Sequence, residues 1–309
     1  MNLLITGGTG SLGRALTRHF YSDHAITILS RDPHKQADMK RRYPDVNFVL
    51  GDICNRELML DLCGEADTVI HAAALKIVGD AQKNTKEYMR VNVLGALNVA
   101  EACRLNGVEK AILISSDKAC MPVTAYGKTK AIAEDLWLSE NNGWHDSRFT
   151  CLRYGNVVSS NGSVWRVWKD AIEKDEHIVV KHPEPTRFIL TMEQAVGLVH
   201  ATIECMQGGE VIVPGNVPSF SLWDLALEMQ PNKVRWIEEE LLPTEKQHEI
   251  MVAQTEFFEP TGIRTNGLEL WRVLPYATQL NQEIPPMFNS GESNRISGKE
   301  VVELLKNAN

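Results

Sequence analysis

The sequence predicts an α/β fold, a doubly wound parallel sheet with a smaller lobe interleaved into it, and three observations lead there. Short apolar runs alternate with amphipathic stretches through the first half of the chain. A glycine-rich loop follows the first of those runs, and the pattern loosens after residue 155 before a strand-like run returns near residue 210.

Leu3–Thr6, Ile26–Ser30, Asn47–Leu50, Thr68–His71 and Ala111–Ser115 read as strands, with helical patterns between them. Such alternation implies parallel strands covered by helices on both faces. Residues 92–105 have helical spacing and stop at Asn106-Gly107, a good C-terminal signal. Cys151–Tyr154 reads as a sixth strand, and Trp165–Ile172 as a helix whose Trp165 and Trp168, at helical spacing, predict packing rather than ligand stacking. Glu210–Pro214 is expected to rejoin the main sheet. The expected division is therefore residues 1–155 and 187–215 for a dinucleotide-binding domain, and 156–186 and 216–309 for a substrate-binding lobe.

The composition, 43% hydrophobic and 23% charged over 309 residues, suits one large core plus a smaller one. A net charge of -8 excludes a nucleic-acid binder that relies on bulk attraction to phosphate, so an anionic ligand must be held by local donors. The chain opens without a basic n-region or a long apolar h-region, and no run approaches the roughly 20 apolar residues of a membrane span. A soluble, cytoplasmic protein with no membrane partner is expected. The six cysteines show no C-x-x-C pair and no His at metal-ligand spacing, which predicts reduced thiols and no metal site. Cys120 is read as a small buried hydrophobe.

Thr6-Gly7-Gly8-Thr9-Gly10-Ser11-Leu12-Gly13 follows the first strand and opens a helix, the context a dinucleotide-binding loop requires. Glycines there permit a tight turn and close approach of backbone to pyrophosphate, which the helix N-terminus receives. The second strand ends in Ser30-Arg31, with Lys35 a turn later; hydroxyl and cations suit a 2′-phosphate, so NADP is expected. Asp32 keeps NAD open. Asp52 and Ile53 after the third strand, and Ala72, Ala73 and Ala74 after the fourth, are expected along the rest of the dinucleotide, with Asn92 among the cofactor residues.

Tyr126 and Lys130 lie one helical turn apart on one face. Lys130 is expected to lower the phenol's pKa and hold the nicotinamide ribose, so that Tyr126 can take a proton from a sugar hydroxyl. Ser116, Asp117 and Lys118 fall at the end of the fifth strand, where ligands bind in open α/β sheets. Ser116 can hydrogen-bond the hydroxyl being oxidised. The adjacent acid and base exceed what alcohol oxidation needs and point to elimination.

Taken with His71-Ala-Ala-Ala-Leu-Lys76, Arg153-Tyr-Gly-Asn-Val157, Thr186-Arg-Phe188, Gly208–Pro214, Glu245-Lys-Gln-His-Glu249 and Asn289–Asn294, these motifs resemble the 5-inverting UDP-N-acetylglucosamine 4,6-dehydratases of polysaccharide and pseudaminic-acid biosynthesis, extended short-chain dehydrogenase/reductases with a Rossmann-type sheet. The Asp117-Lys118 pair is the specific part, and Leu242-Pro243-Thr244 is where the chain departs from the family's basic motif.

The resemblance implies a reaction with internal redox on a UDP-sugar. Tyr126 deprotonates the C4 hydroxyl as hydride passes to NADP, Lys118 removes the acidified C5 proton, Asp117 protonates the departing C6 hydroxyl, and the hydride returns to C6. It also implies Lys76, Asn156, Arg187 and Glu245 as substrate contacts, and a homo-oligomer built on the helices over 92–105 and 126–137. Lys118 is then expected to have a depressed pKa and Asp117 to stay protonated. A UDP-sugar 4-epimerase, which needs no acid and base at C5 and C6, is the near alternative; a non-catalytic NADP-binding regulator is the distant one.

Overall fold

The computed structural model describes residues 1–141, 146–158, 164–236, 245–275 and 287–307. The expected alternation is present as β1 (Asn2–Thr6), α1 (Ser11–Phe20), β2 (Ala25–Ser30), α2 (Pro33–Arg42), β3 (Asn47–Leu50), α3 (Arg56–Cys63), β4 (Thr68–His71), β5 (Lys110–Ile114) and β6 (Arg148–Leu152). Each has a local reason. β4 is buried along its whole length, as a parallel strand covered on both faces must be. α2 begins with Asp32 accepting a hydrogen bond from the Lys35 amide (3.0 Å) and Pro33 in the first turn, and ends in Lys40, Arg41 and Arg42 against the negative end of the dipole.

The strands run in the spatial order β3-β2-β1-β4-β5-β6, then the strand Val211–Pro214, parallel to β6. The hairpin Phe257–Thr265 and Leu268–Leu274 pairs antiparallel at that edge, so the main sheet has nine strands among the described residues. This is the Rossmann-type arrangement, and the order reverses between β1 and β4, opening a crevice at their carboxyl ends. Residues 257–274, which sequence reading placed in the smaller lobe, thus hydrogen-bond to the large sheet through Val211–Pro214.

The helix expected over 92–105 is longer than its apolar spacing suggested. An α-helical turn, Thr85–Tyr88, leads into a π-helical stretch, Met89–Gly95, and then α-helix over Ala96–Asn106, ended by Gly107 at φ 66°. The wider π turn carries Asn92 inward, where its amide accepts from the Leu75 N–H (2.8 Å) and donates to the Leu75 carbonyl (2.9 Å), tying down the loop after β4. A second core, built from Trp168, Ile178, Phe220, Leu225, Val301 and Leu305, lies outside the main sheet. Trp168 and the partly buried Trp165 pack there, the role their spacing suggested. Among the described residues, no helix is long and apolar enough to cross a membrane.

At the crevice, Gly7 has φ 68°, and a Cβ there would lie 2.8 Å from the Ala73 Cα. The loop after β1 therefore touches the backbone after β4 directly. Gly7→Ala should lower stability by about 1–3 kcal/mol, seen as a lower urea midpoint at an unchanged slope.

Candidate active site

The crevice is a cleft of about 910 Å³. Gly7, Gly10, Ser11, Leu12 and Gly13 line it from the first loop, and Ser30, Arg31 and Lys35 from the end of β2. Asp52 and Ile53, then Ala72, Ala73, Ala74 and Lys76, follow from the ends of β3 and β4. Ser116, Lys118, Tyr126, Lys130 and Asn156 line its other part. Thr6, Asn92, Asp117, Arg187 and Glu245 do not line it. Thr6 and Asn92 brace its floor: the Thr6 hydroxyl is 2.7 Å from His71 Nδ1 and accepts from the Ala73 amide (3.3 Å). Residues 242–244 lie outside the described residues.

The cleft fits a dinucleotide on its own terms. α1 starts at Gly10 with no side-chain cap and no acidic residue in its first turn, so its free N–H groups and positive end are available to an anion. At the end of β2, the Asp32 carboxylate is engaged by the Lys35 amide and by Lys35 Nζ (2.8 Å), which holds its pKa down. Arg90, which sequence reading missed, meets Asp52 (3.3 Å) opposite Arg31 (3.8 Å). Nothing in its helical spacing distinguishes Arg90 from a solvated charge.

Tyr126 and Lys130 lie on the helix Ala125–Ser139, capped by Thr124 through the Gly127 amide (2.9 Å). A Cβ on Gly127 would overlap the Lys118 carbonyl, and this close approach seats the turn Asp117–Ala119 against the start of the tyrosine helix. Burial pushes the Tyr126 phenol up to about 12, with the Lys118 charge and Ser116 pulling it back. Lys130 donates to the Ile114 carbonyl (2.6 Å), and burial lowers it to about 8 against the opposing charge of Glu134. This corrects the expected electrostatics: the cation bearing on the phenol is Lys118, because Lys130 is drawn to the end of β5.

Asp117 is fully buried. Its Oδ1 accepts from the Ser116 hydroxyl (2.8 Å) and from Lys118 Nζ (3.1 Å), and burial, reinforced by Glu249, raises its carboxyl above the usual range. Lys118 Nζ also donates to Asn156 Oδ1 (3.3 Å) and lies 3.3 Å from Glu249 Oε1. A depressed Lys118 pKa was expected, and the direction is the reverse. Burial pulls the ammonium down, but the carboxylates of Asp117 and Glu249 outweigh it and carry the net shift upward.

Glu249 is the second residue that sequence reading passed over. It lies inside the quoted run Glu245-Lys-Gln-His-Glu249, but only folding brings it to Lys118. Arg187, expected on a phosphate, donates instead to the Thr186 carbonyl (2.7 Å) and stands 3.7 Å from Glu249; Glu245 pairs at 4.0 Å with Lys181. Cys120 is buried, and burial raises its thiol, as for an inert cysteine.

Residues 3–266 match the family described as "Polysaccharide biosynthesis protein". The chain belongs to that family. A UDP-N-acetylglucosamine 4,6-dehydratase (inverting) from Campylobacter jejuni is 40% identical over 263 residues, 82% of this chain and 78% of the relative. A UDP-glucose 4-epimerase from Rickettsia bellii is 33% identical, covering 99% of this chain and 95% of its own. The solved structure of Pen from Bacillus thuringiensis superposes with a TM-score of 0.85 at 28% identity, over 99% of this chain and 97% of that one. The resemblance to inverting dehydratases within the extended short-chain dehydrogenase/reductases stands on the same matches.

In this family member, one buried cation joins the site's parts. Arg153, just beyond β6, donates to both carboxylate oxygens of Glu134 on the tyrosine helix (3.2 and 2.7 Å), to both of Glu256 (3.0 Å each) and to the Met251 carbonyl (2.8 Å). Its side chain is 4% exposed and that of Glu134 6%. Arg153→Met would leave these buried carboxylates without their cation and should cost about 3–5 kcal/mol of stability, measured by urea unfolding at neutral pH.

Proposed function

We propose that the chain is an NADP-dependent UDP-N-acetylglucosamine 4,6-dehydratase that inverts C5. The observation that carries this reading is the fully buried acid Asp117 and the half-buried amine Lys118, 3.1 Å apart in a turn packed against the helix of Tyr126, with Lys118 and Tyr126 lining the cleft. The printed function of the Campylobacter relative supports it. Ser30, Arg31 and Lys35 would hold the 2′-phosphate, the N-terminus of α1 the pyrophosphate, and Lys130 the nicotinamide ribose. When bound, NADP supplies the acceptor for hydride leaving C4 and the donor that returns it at C6.

The protein's own task is proton movement. Tyr126 takes the C4 hydroxyl proton as its phenolate, the form that Ser116 and the positive charge of Lys118 favour against the burial that disfavours it. The Asp117 and Lys118 pair holds one proton between a carboxyl and an amine. Transfer of that proton to Asp117 turns an ion pair into a neutral acid and a neutral amine, a change favoured by the burial that raises Asp117. The amine then removes the C5 proton while the carboxylic acid protonates the departing C6 oxygen as water, and the pair returns to its ionic state. Protonation of C5 from solvent on the opposite face, with release of the proton that Tyr126 took, gives the inverted 4-keto-6-deoxy sugar. Lys76 and Asn156, which line the cleft, would contact the sugar nucleotide, whereas Asp117, Arg187 and Glu245, which do not line it, would have to turn toward it. Self-association through the helices over 92–105 and 126–137 belongs to the same reading, supported by exposed Leu94, Leu105 and Ile132.

The Rickettsia relative favours one rival, a UDP-sugar 4-epimerase, which would use Tyr126 and leave Asp117 and Lys118 idle. Incubation with UDP-N-acetylglucosamine and no added cofactor, followed by mass spectrometry and proton NMR, separates them: dehydration removes one water, epimerisation keeps the mass but inverts C4 and so changes its proton's couplings, and substrate unchanged by both readouts defeats both. In D₂O, Lys118→Ala should take up no deuterium at C5 while still binding NADP; uptake at the wild-type rate would remove Lys118 as the base. Arg31→Ala should weaken NADP on the order of tenfold and NAD much less, measured by fluorescence titration of the two cofactors.

A further inference from the structure

Lys118 is an ammonium with three N–H donors, and three acceptors surround it: Asp117 Oδ1 (3.1 Å), Asn156 Oδ1 (3.3 Å) and Glu249 Oε1 (3.3 Å). An amine so saturated is held as the acid, not as the base. Two of the three acceptors are carboxylates, and they differ. Each has one buried oxygen without a hydrogen bond, Asp117 Oδ2 and Glu249 Oε2, but fully buried Asp117 has Lys118 as its cation, whereas Glu249, 4% exposed, stands among Lys118, Arg187 (3.7 Å) and Lys246 (3.6 Å). Its backbone is fixed too: the Glu249 amide donates to the Ser290 hydroxyl (2.9 Å), which is 2.7 Å from that of Thr186.

We propose that Glu249 is a positioning residue that clamps Lys118 between turnovers and, by remaining an anion throughout, sets the pH above which Lys118 serves as the base. This rests on the dehydratase reading for its catalytic part and on the geometry alone for its electrostatic part. The charged and titratable groups facing Lys118 are Asp117 from its own turn, Glu249 from the segment before the strand Ile250–Val252, Arg187 from the strand Thr186–Leu190 and Tyr126 from its helix. Burial favours a protonated Glu249, but its three cations outweigh that and hold it ionised, whereas burial lifts Asp117. The proton leaving Lys118 therefore goes to Asp117, and Glu249 remains a negative charge beside the nascent amine. At low pH the pair holds two protons, as carboxylic acid and ammonium, and the Glu249 charge raises the pH at which the first is lost; removing that charge must therefore move formation of the free amine to lower pH.

The test pairs two readouts. In protein carrying isotope-labelled lysine, with the Lys118 signal assigned through Lys118→Arg, Glu249→Gln should make Lys118 titrate at a pH lower by about one or more. With UDP-N-acetylglucosamine in D₂O, the low-pH limb of C5 deuterium exchange should move the same way, and Glu249→Asp, which keeps the charge, should leave it near wild type. An unmoved Lys118 titration overturns the proposal. So does a fall in exchange at every pH with the limb in place, which would make Glu249 a purely structural support. If wild type fails to dehydrate the sugar nucleotide, the dehydratase reading falls, and the lysine titration alone decides whether Glu249 controls Lys118.

Discussion

The site depends on a buried guanidinium. Arg153 projects from the end of β6 into a space where it can be charged only because Glu134 and Glu256 meet it with paired oxygens and the Met251 carbonyl takes another of its protons. Such a cluster contributes little net stability over an apolar equivalent, but it tolerates only one arrangement of its members. Those members lie on the sheet, on the tyrosine helix and on the segment that follows Glu249. The arginine thus fixes the distance between the phenol and the amine on one side and the carboxylate on the other.

The second constraint is how many protons the buried cluster holds. Asp117, Lys118 and Glu249 share a volume where any uncompensated charge is costly, and Arg187 and Lys246 supply the balance. The resting arrangement is an ammonium between two carboxylates. An acid and a base ready for elimination are the same atoms with one proton passed from Lys118 to Asp117 across their 3.1 Å contact. The cluster can therefore hold its reactive form without exchanging a proton with solvent.

What could be read from the residues alone follows from range. The glycine loop, the strand alternation, the Tyr126 and Lys130 pair and the Asp117 and Lys118 pair are local patterns, and each fell where its spacing indicated. Arg90, Glu249 and the Arg153 cluster were not legible, because their partners lie tens of residues or more away in sequence and an isolated Glu or Arg reads as surface charge. The direction of the Lys118 shift failed partly for the same reason: besides the adjacent Asp117, a second carboxylate raises it, and that one, Glu249, arrives from another element. The π-helical stretch was hidden as well, since its apolar spacing differs from that of an α-helix by less than a residue per turn.

The hairpin Phe257–Thr265 and Leu268–Leu274 closes one side of the sheet with a ladder whose register breaks between Pro260 and Arg264. Pro260 offers no N–H, and Gly262, at φ 76°, turns the backbone out of line. A neighbouring chain seeking to zip onto this margin would find an interrupted template, so the apolar parallel strands behind it are guarded against fibrous assembly by two residues that do not line the cleft.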